Sequence, residues 1–87
     1  MGITVELTYE MGKALGTARV EVEGAATVAD VVRLTRERFG ERAAEFARLT
    51  RVAAVSVNGV LVTHGRGLRT AVADGDRVMF VKASAGG

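Results

Sequence analysis

The residues best suited to chemistry are the last two. Gly86 and Gly87 close the sequence, and the expectation is that Gly87 carries a free backbone carboxylate that no side chain shields. Without a Cβ, such a backbone can approach another group closely and take φ/ψ values barred to other residues. Elsewhere the inventory is thin. There is no Cys, which excludes a disulfide scaffold, an iron–sulfur cluster, a thiolate zinc site and a cysteine nucleophile. His64 is the single histidine and sits beside Gly65 in an expected loop, where a lone histidine is usually solvated. No nucleophile is spaced with an acid and a base, and there is no Walker loop and no metal-ligand spacing. The chain therefore does not read as an enzyme. Two terminal glycines alone can equally be a frayed end, so their weight depends on the elements that precede them.

Those elements must fit one small domain, since there are 87 residues. About half of them, 48%, are apolar, enough for a real core. Twelve basic and ten acidic residues leave a net charge of +2, too small an excess to argue for nucleic acid. The arginines of the first long helical segment alternate with Glu37 and read as a solvated face. The segment MGITVELTYE has no basic n-region and no long apolar run, so no signal peptide or membrane span is evident. The expectation is a soluble, cytoplasmic protein without a nucleic-acid or membrane partner.

Ile3, Val5, Leu7 and Tyr9 alternate with polar residues, which predicts a strand with one buried face. Gly12 to Gly16 supply turn chemistry, and Thr17 to Glu23 predict a second strand, closing an antiparallel hairpin. Thr27 is a good N-cap with Asp30 three residues on. Val28, Val31, Val32, Thr35 and Phe39 then recur at helical spacing up to Gly40. Glu41 to Thr50 predict a shorter helix whose inner face is Ala43, Ala44, Phe46 and Ala47. Val52 to Val57 and Val60 to Thr63 flank Asn58-Gly59, a strong type I′ hairpin signal. Leu68 and Val72 anchor an irregular loop, Asp74-Gly75-Asp76 turns, and Arg77 to Lys82 form the last strand. In that strand Val78 and Phe80 face one way, Met79 and Val81 the other. The domain runs over 1–82. Residues 83–87 lack large side chains and read as a flexible tail.

Val57-Asn58-Gly59, the run Leu68 to Val78 through Asp74-Gly75-Asp76, and Ala85-Gly86-Gly87 carry a family likeness. In them the chain resembles the ubiquitin-like sulfur carriers of the MoaD/ThiS family, on the MoaD-like side. One departure is visible: many MoaD relatives have Pro-Pro before the tail, where this chain has Lys82-Ala83 and no proline at all. The resemblance implies an α+β β-grasp fold, a mixed sheet of four or five strands with a main helix and a second short helix on one face.

The resemblance also implies a chemistry. An E1-like adenylyltransferase of the MoeB/ThiF type uses ATP and Mg²⁺ to adenylate Gly87, with Gly86 threading the enzyme's channel. The acyl-adenylate is then converted to a thiocarboxylate that a MoaE-type or other synthase accepts sulfur from. The chain itself would bind no cofactor, and would be a monomer when free. The handle for partners would be the sheet face that the helices leave open. Leu61, Met79 and Val81 are the apolar candidates there, with Arg77, Lys82 and Arg69 for charge steering and Ala85 in the tail. Two other functions compete. A ubiquitin-like modifier would join Gly87 to lysines of other proteins, and a non-covalent β-grasp binding module would not need Gly86-Gly87.

Overall fold

The computed structural model describes residues 2–62 and 66–82. Five strands form one mixed sheet: β1 (Ile3–Glu6), β2 (Arg19–Val22), β3 (Ala53–Val57), β4 (Val60–Val62) and β5 (Arg77–Lys82). Their order is β2-β1-β5-β3-β4. β1 and β5 run parallel at the centre, and every other pairing is antiparallel. Three helices accompany them: α1 (Tyr9–Leu15), α2 (Val28–Phe39) and α3 (Ala43–Thr50). This is the expected α+β β-grasp.

The alternation in β1 and β5 does what its period requires. Ile3, Val5, Val78 and Phe80 are buried between sheet and helices. Val28, Val31 and Thr35 meet them from α2, and Phe46 from α3. Phe46 joins the two layers: its ring lies 5.5 Å from Phe39 and 5.6 Å from Phe80, edge-on to the latter. Thr27 caps α2 in a complete capping box, accepting from the Asp30 N–H while the Asp30 carboxylate accepts from the Thr27 N–H. The Val28 N–H, an orphan donor of the first turn, donates to the Thr70 carbonyl at 3.0 Å. That bond ties the crossing segment 70–72 beneath α2.

The first connection departs from the sequence reading. In place of a short turn around Gly12–Gly16 there is helix α1, so Tyr9 lies on a helix and is exposed, not on a buried strand face. Thr8 caps α1 by accepting from the Met11 N–H, and Gly16 ends it at φ 84°. Met11 and Leu15 are four apart, so one helical face carries both into the core. Arg42 secures the far end by donating to the Leu15 carbonyl at 2.9 Å. Three smaller corrections follow the same logic of packing. Ala44 is exposed, because the inner face of α3 is carried by Phe46 with Leu49, and Ala43 and Ala47 are half-buried. Val52 precedes β3 and is exposed, and Leu68 lies outward on a 3-10 turn (Arg66–Arg69) while Val72 is the anchor. Thr63, His64 and Gly65 lie outside the described residues.

Thr35 poses an energetic anomaly. Its hydroxyl is fully buried and finds no hydrogen-bond partner among the described residues. A buried unpaired hydroxyl costs about 1–3 kcal/mol. Thr35→Val keeps the shape and removes the polar atom. It is expected to raise the melting temperature by about 5 °C, the shift that roughly 1 kcal/mol produces in a domain this small. A thermal melt that falls instead would show that the hydroxyl is satisfied in solution.

Candidate interaction surface and tail exit

Residues opposite one another in a ladder share a sheet face. Ser56 stands across from Leu61 on one side and Met79 on the other, and Ala54 across from Val81. Leu61, Ser56, Met79, Ala54 and Val81 therefore form one continuous patch on the face without helices. Leu61 is 66% exposed, Met79 and Val81 are half-buried, and Ser56 is covered between its two neighbours. The structure thus brings together the three apolar candidates of the sequence. It adds Ala54 and Ser56, whose membership could have been read from their alternation with Ala53 and Val55.

The same face changes character across the sheet. Continuing the rows, Met79 stands across from Glu6 and Glu6 across from Arg19, while Arg77 stands across from Thr4 and Thr4 across from Glu21. Apart from Arg77 at the start of β5, the β4–β3–β5 side carries no charge, and the β1–β2 side is charged. Arg77 lies on this face and pairs with Glu6 at 3.3 Å, so its charge is shared. Lys82 is exposed, but its register opposite Ala53 puts it on the other face from Met79 and Val81. Arg69 is exposed on the 3-10 turn. Ala85, Gly86 and Gly87 lie outside the described residues. Before them comes β5, paired with β1 over 77–79 and with β3 over 78–82; it ends at Lys82, next to Val81 in the patch.

The two turn motifs meet in space. Asn58 occupies the β3–β4 turn at φ 50° and Gly59 at φ 87°, the two positive values a type I′ turn needs. Asn58 Nδ2 donates to Asp76 Oδ1 at 3.1 Å, and the Arg77 N–H donates to Asn58 Oδ1 at 3.0 Å. Asp76 Oδ2 accepts from the Ala73 N–H at 2.9 Å. The Gly75 N–H donates to the Gly2 carbonyl at 3.0 Å, which fastens the same turn to the start of β1. Asn58 and Asp76 thus lock the entry to β5. They are structural residues and leave Gly59 and Gly75 as turn formers.

The Ala73 N–H bond, then the Asn58 amide, hold the Asp76 carboxyl below its ordinary value of 3.8, against a small opposing effect of desolvation. A lowered folded-state pKa contributes stability that is fully present above 3.8 and is lost as pH falls through the folded value. Asp30 follows the same rule through its bond from the Ala26 N–H first. Asp76→Ala should therefore destabilise the fold at neutral pH, and the gap to the parent should shrink as pH falls below 3.8. Urea midpoints across that range read this directly. A gap that does not change with pH would mean that the ionised form of Asp76 is not what holds the turn.

Among the described residues no helix is long and apolar enough to cross a membrane. Comparisons with known proteins agree with the architecture. The model of the ThiS family matches residues 6–87. A chain of the BexX/CysO complex of Amycolatopsis orientalis is 30% identical, with a TM-score of 0.76 over 98% of this chain and 99% of that one. SAMP1 of Haloferax volcanii superposes with a TM-score of 0.74 at 22% identity, over the whole of both chains. A chain from the complex of subunits 1 and 2 of the molybdopterin-converting factor of Helicobacter pylori gives 0.63 at 17% identity, again over both whole chains. The last two likenesses are of fold. A comparison with curated protein sequences found no match.

Proposed function

Because this chain belongs to the ThiS family, we propose that it is a sulfur carrier whose reactive group is the Gly87 carboxylate. The observation that carries the reading is the position of β5. An inner strand of the sheet precedes Ala83-Ser84-Ala85-Gly86-Gly87 in the sequence, and the Leu61–Met79–Val81 patch lies beside its end.

In this reading a carboxylate oxygen of Gly87 attacks the α-phosphate of ATP in an E1-like enzyme. Pyrophosphate leaves and an acyl-adenylate forms. The terminal sulfur of a donor persulfide then displaces AMP, and a thiol cleaves the remaining S–S bond to free the thiocarboxylate. A thiocarboxylate is a better sulfur nucleophile at neutral pH than a carboxylate is an oxygen nucleophile. ATP and Mg²⁺ belong to the activating enzyme, and a MoaE-type or other synthase takes the sulfur. This chain supplies the tail, two residues without Cβ to pass a narrow channel, and the surface by which it is held. Intact-protein mass spectra with a MoeB/ThiF-type enzyme, ATP, Mg²⁺ and a sulfur donor test it. One sulfur-for-oxygen exchange supports the reading. Gly87-linked adducts on lysines without that exchange would favour the modifier function instead.

The patch has its own test. Leu61→Arg puts a charge where an apolar partner surface would close. It is expected to raise the KM of the activating enzyme for this chain by about thirty-fold, the effect of losing one interface anchor. Stability should stay within about 0.5 kcal/mol, since Leu61 is exposed in the free chain. An unchanged KM would remove Leu61 from the interface.

A further inference from the structure

Among the described residues, no strand lies beside the outer edge of β2. Which of its backbone groups point outward follows from two bonds. The Leu7 N–H donates to the Ala18 carbonyl at 2.9 Å, and the same register pairs Val5 with Val20 and Ile3 with Val22. In an antiparallel ladder hydrogen-bonded pairs alternate with pairs that turn their backbone groups away. Arg19 and Glu21 are the turned-away residues, so their N–H and C=O groups face solvent. The Thr4 N–H, opposite Glu21, accordingly points the other way and donates to Asp76 at 3.2 Å.

We infer that this edge pairs with the β2 edge of a second copy of the chain, joining the two sheets into one. The charge pattern selects the register. Set antiparallel about a two-fold axis at Val20, Arg19 stands opposite Glu21 of the other copy, and Glu21 opposite its Arg19. These are also the residues with outward backbone groups, so each such pair exchanges both N–H···O=C bonds. Their side chains lie on the open face, where oppositely charged neighbours across the ladder attract. Sliding the register by one pair sets Arg19 against Arg19 or Glu21 against Glu21. Isolated edge charges usually keep strands apart. Here the triplet Arg19-Val20-Glu21 is complementary to its own reverse.

The surroundings accept this partner. Glu21, Glu23, Glu37 and Arg38 line the hollow between β2 and α2 with Val22 and Leu34, so the ground beside the edge carries charge of both signs. The Arg19 carbonyl already accepts the Thr17 hydroxyl at 2.9 Å and has a second lone pair for the neighbouring strand. β5 and the apolar patch lie away from this edge. The Leu61–Met79–Val81 patch therefore stays open in the dimer.

Sedimentation velocity on the full chain decides this. The mass should move from one chain of 9.1 kDa towards two as concentration rises, and added salt should oppose the shift. Glu21→Arg and Arg19→Glu, each folded by circular dichroism, should each raise the concentration at half-dimerisation about ten-fold. An equimolar mixture of the two variants should restore association, because each then meets its opposite charge. A single-chain mass at every concentration overturns the inference. So does a dimer indifferent to Glu21→Arg, or a mixture no better than either variant alone.

Discussion

Removing Gly86 and Gly87 is expected to abolish the sulfur-for-oxygen exchange and to leave the melting temperature unchanged. The two halves of this expectation have separate causes. The described core ends at Phe80, and the residues after Lys82 bring only Ala, Ser and Gly side chains. They have little apolar area to contribute, so stability should not notice their loss. The chemistry should notice it completely. The shortened chain ends at Ala85, its carboxylate drawn back by about 7 Å of extended backbone and flanked by a Cβ. A nucleotide site that positions a reacting atom tolerates far less than that, since displacement of about 1 Å costs on the order of a hundred-fold in rate. Intact mass and a thermal melt on the same sample check both halves. Exchange that survives the deletion would remove Gly87 from the mechanism, and a lowered melting point would give the tail a structural role.

The second large effect falls on the core. Phe46→Ala is expected to cost about 3–5 kcal/mol, against a total of roughly 5–10 kcal/mol for a domain of this size. Phe46 is completely buried and touches rings on both layers, Phe39 from α2 and Phe80 from β5. Its removal leaves a cavity that these stiff neighbours cannot collapse into. Urea denaturation should show the midpoint falling by about half with an unchanged slope. Phe46→Leu keeps most of the volume and should cost about 1.5 kcal/mol or less. A consequence for function follows, because Phe80 sits between Met79 and Val81 on β5. Losing its edge-on contact should loosen the strand that carries the patch and leads to the tail. A loss below about 1 kcal/mol for Phe46→Ala would mean that α3 is not a keystone of the fold.

Much of this was legible in the residues. The strand alternation of Ile3, Val5, Val78 and Phe80 has a period of two, which any half-buried strand must show. The Thr27–Asp30 cap and the Asn58-Gly59 turn are local events, decided by side chains and φ values within a few residues of one another. The faces of β5 follow from alternation alone, so Met79 and Val81 could be assigned without a structure. Helix α1 was not legible as a helix. Its seven residues include Gly12 and Lys13 between only two buried side chains, too short a pattern to outweigh the glycines. It forms because Met11 and Leu15 find a core to enter and Arg42 bonds its last turn, both events distant in sequence.

The sequence by itself determined the strands, the main helix, the turns and the chemistry available at the diglycine, because these depend on neighbouring residues and on residue type. Only the tertiary structure decided the register by which residues of different strands meet on a surface. Leu61 and Val81 are 20 positions apart in the chain, and their union through Ser56 and Ala54 rests on the register of β3 between β4 and β5. The Asn58–Asp76 lock, the split of the open face into apolar and charged halves, and the self-complementary edge of β2 have the same origin. Register is a long-range property: many pairings satisfy local alternation equally well, and burial of one whole face selects among them.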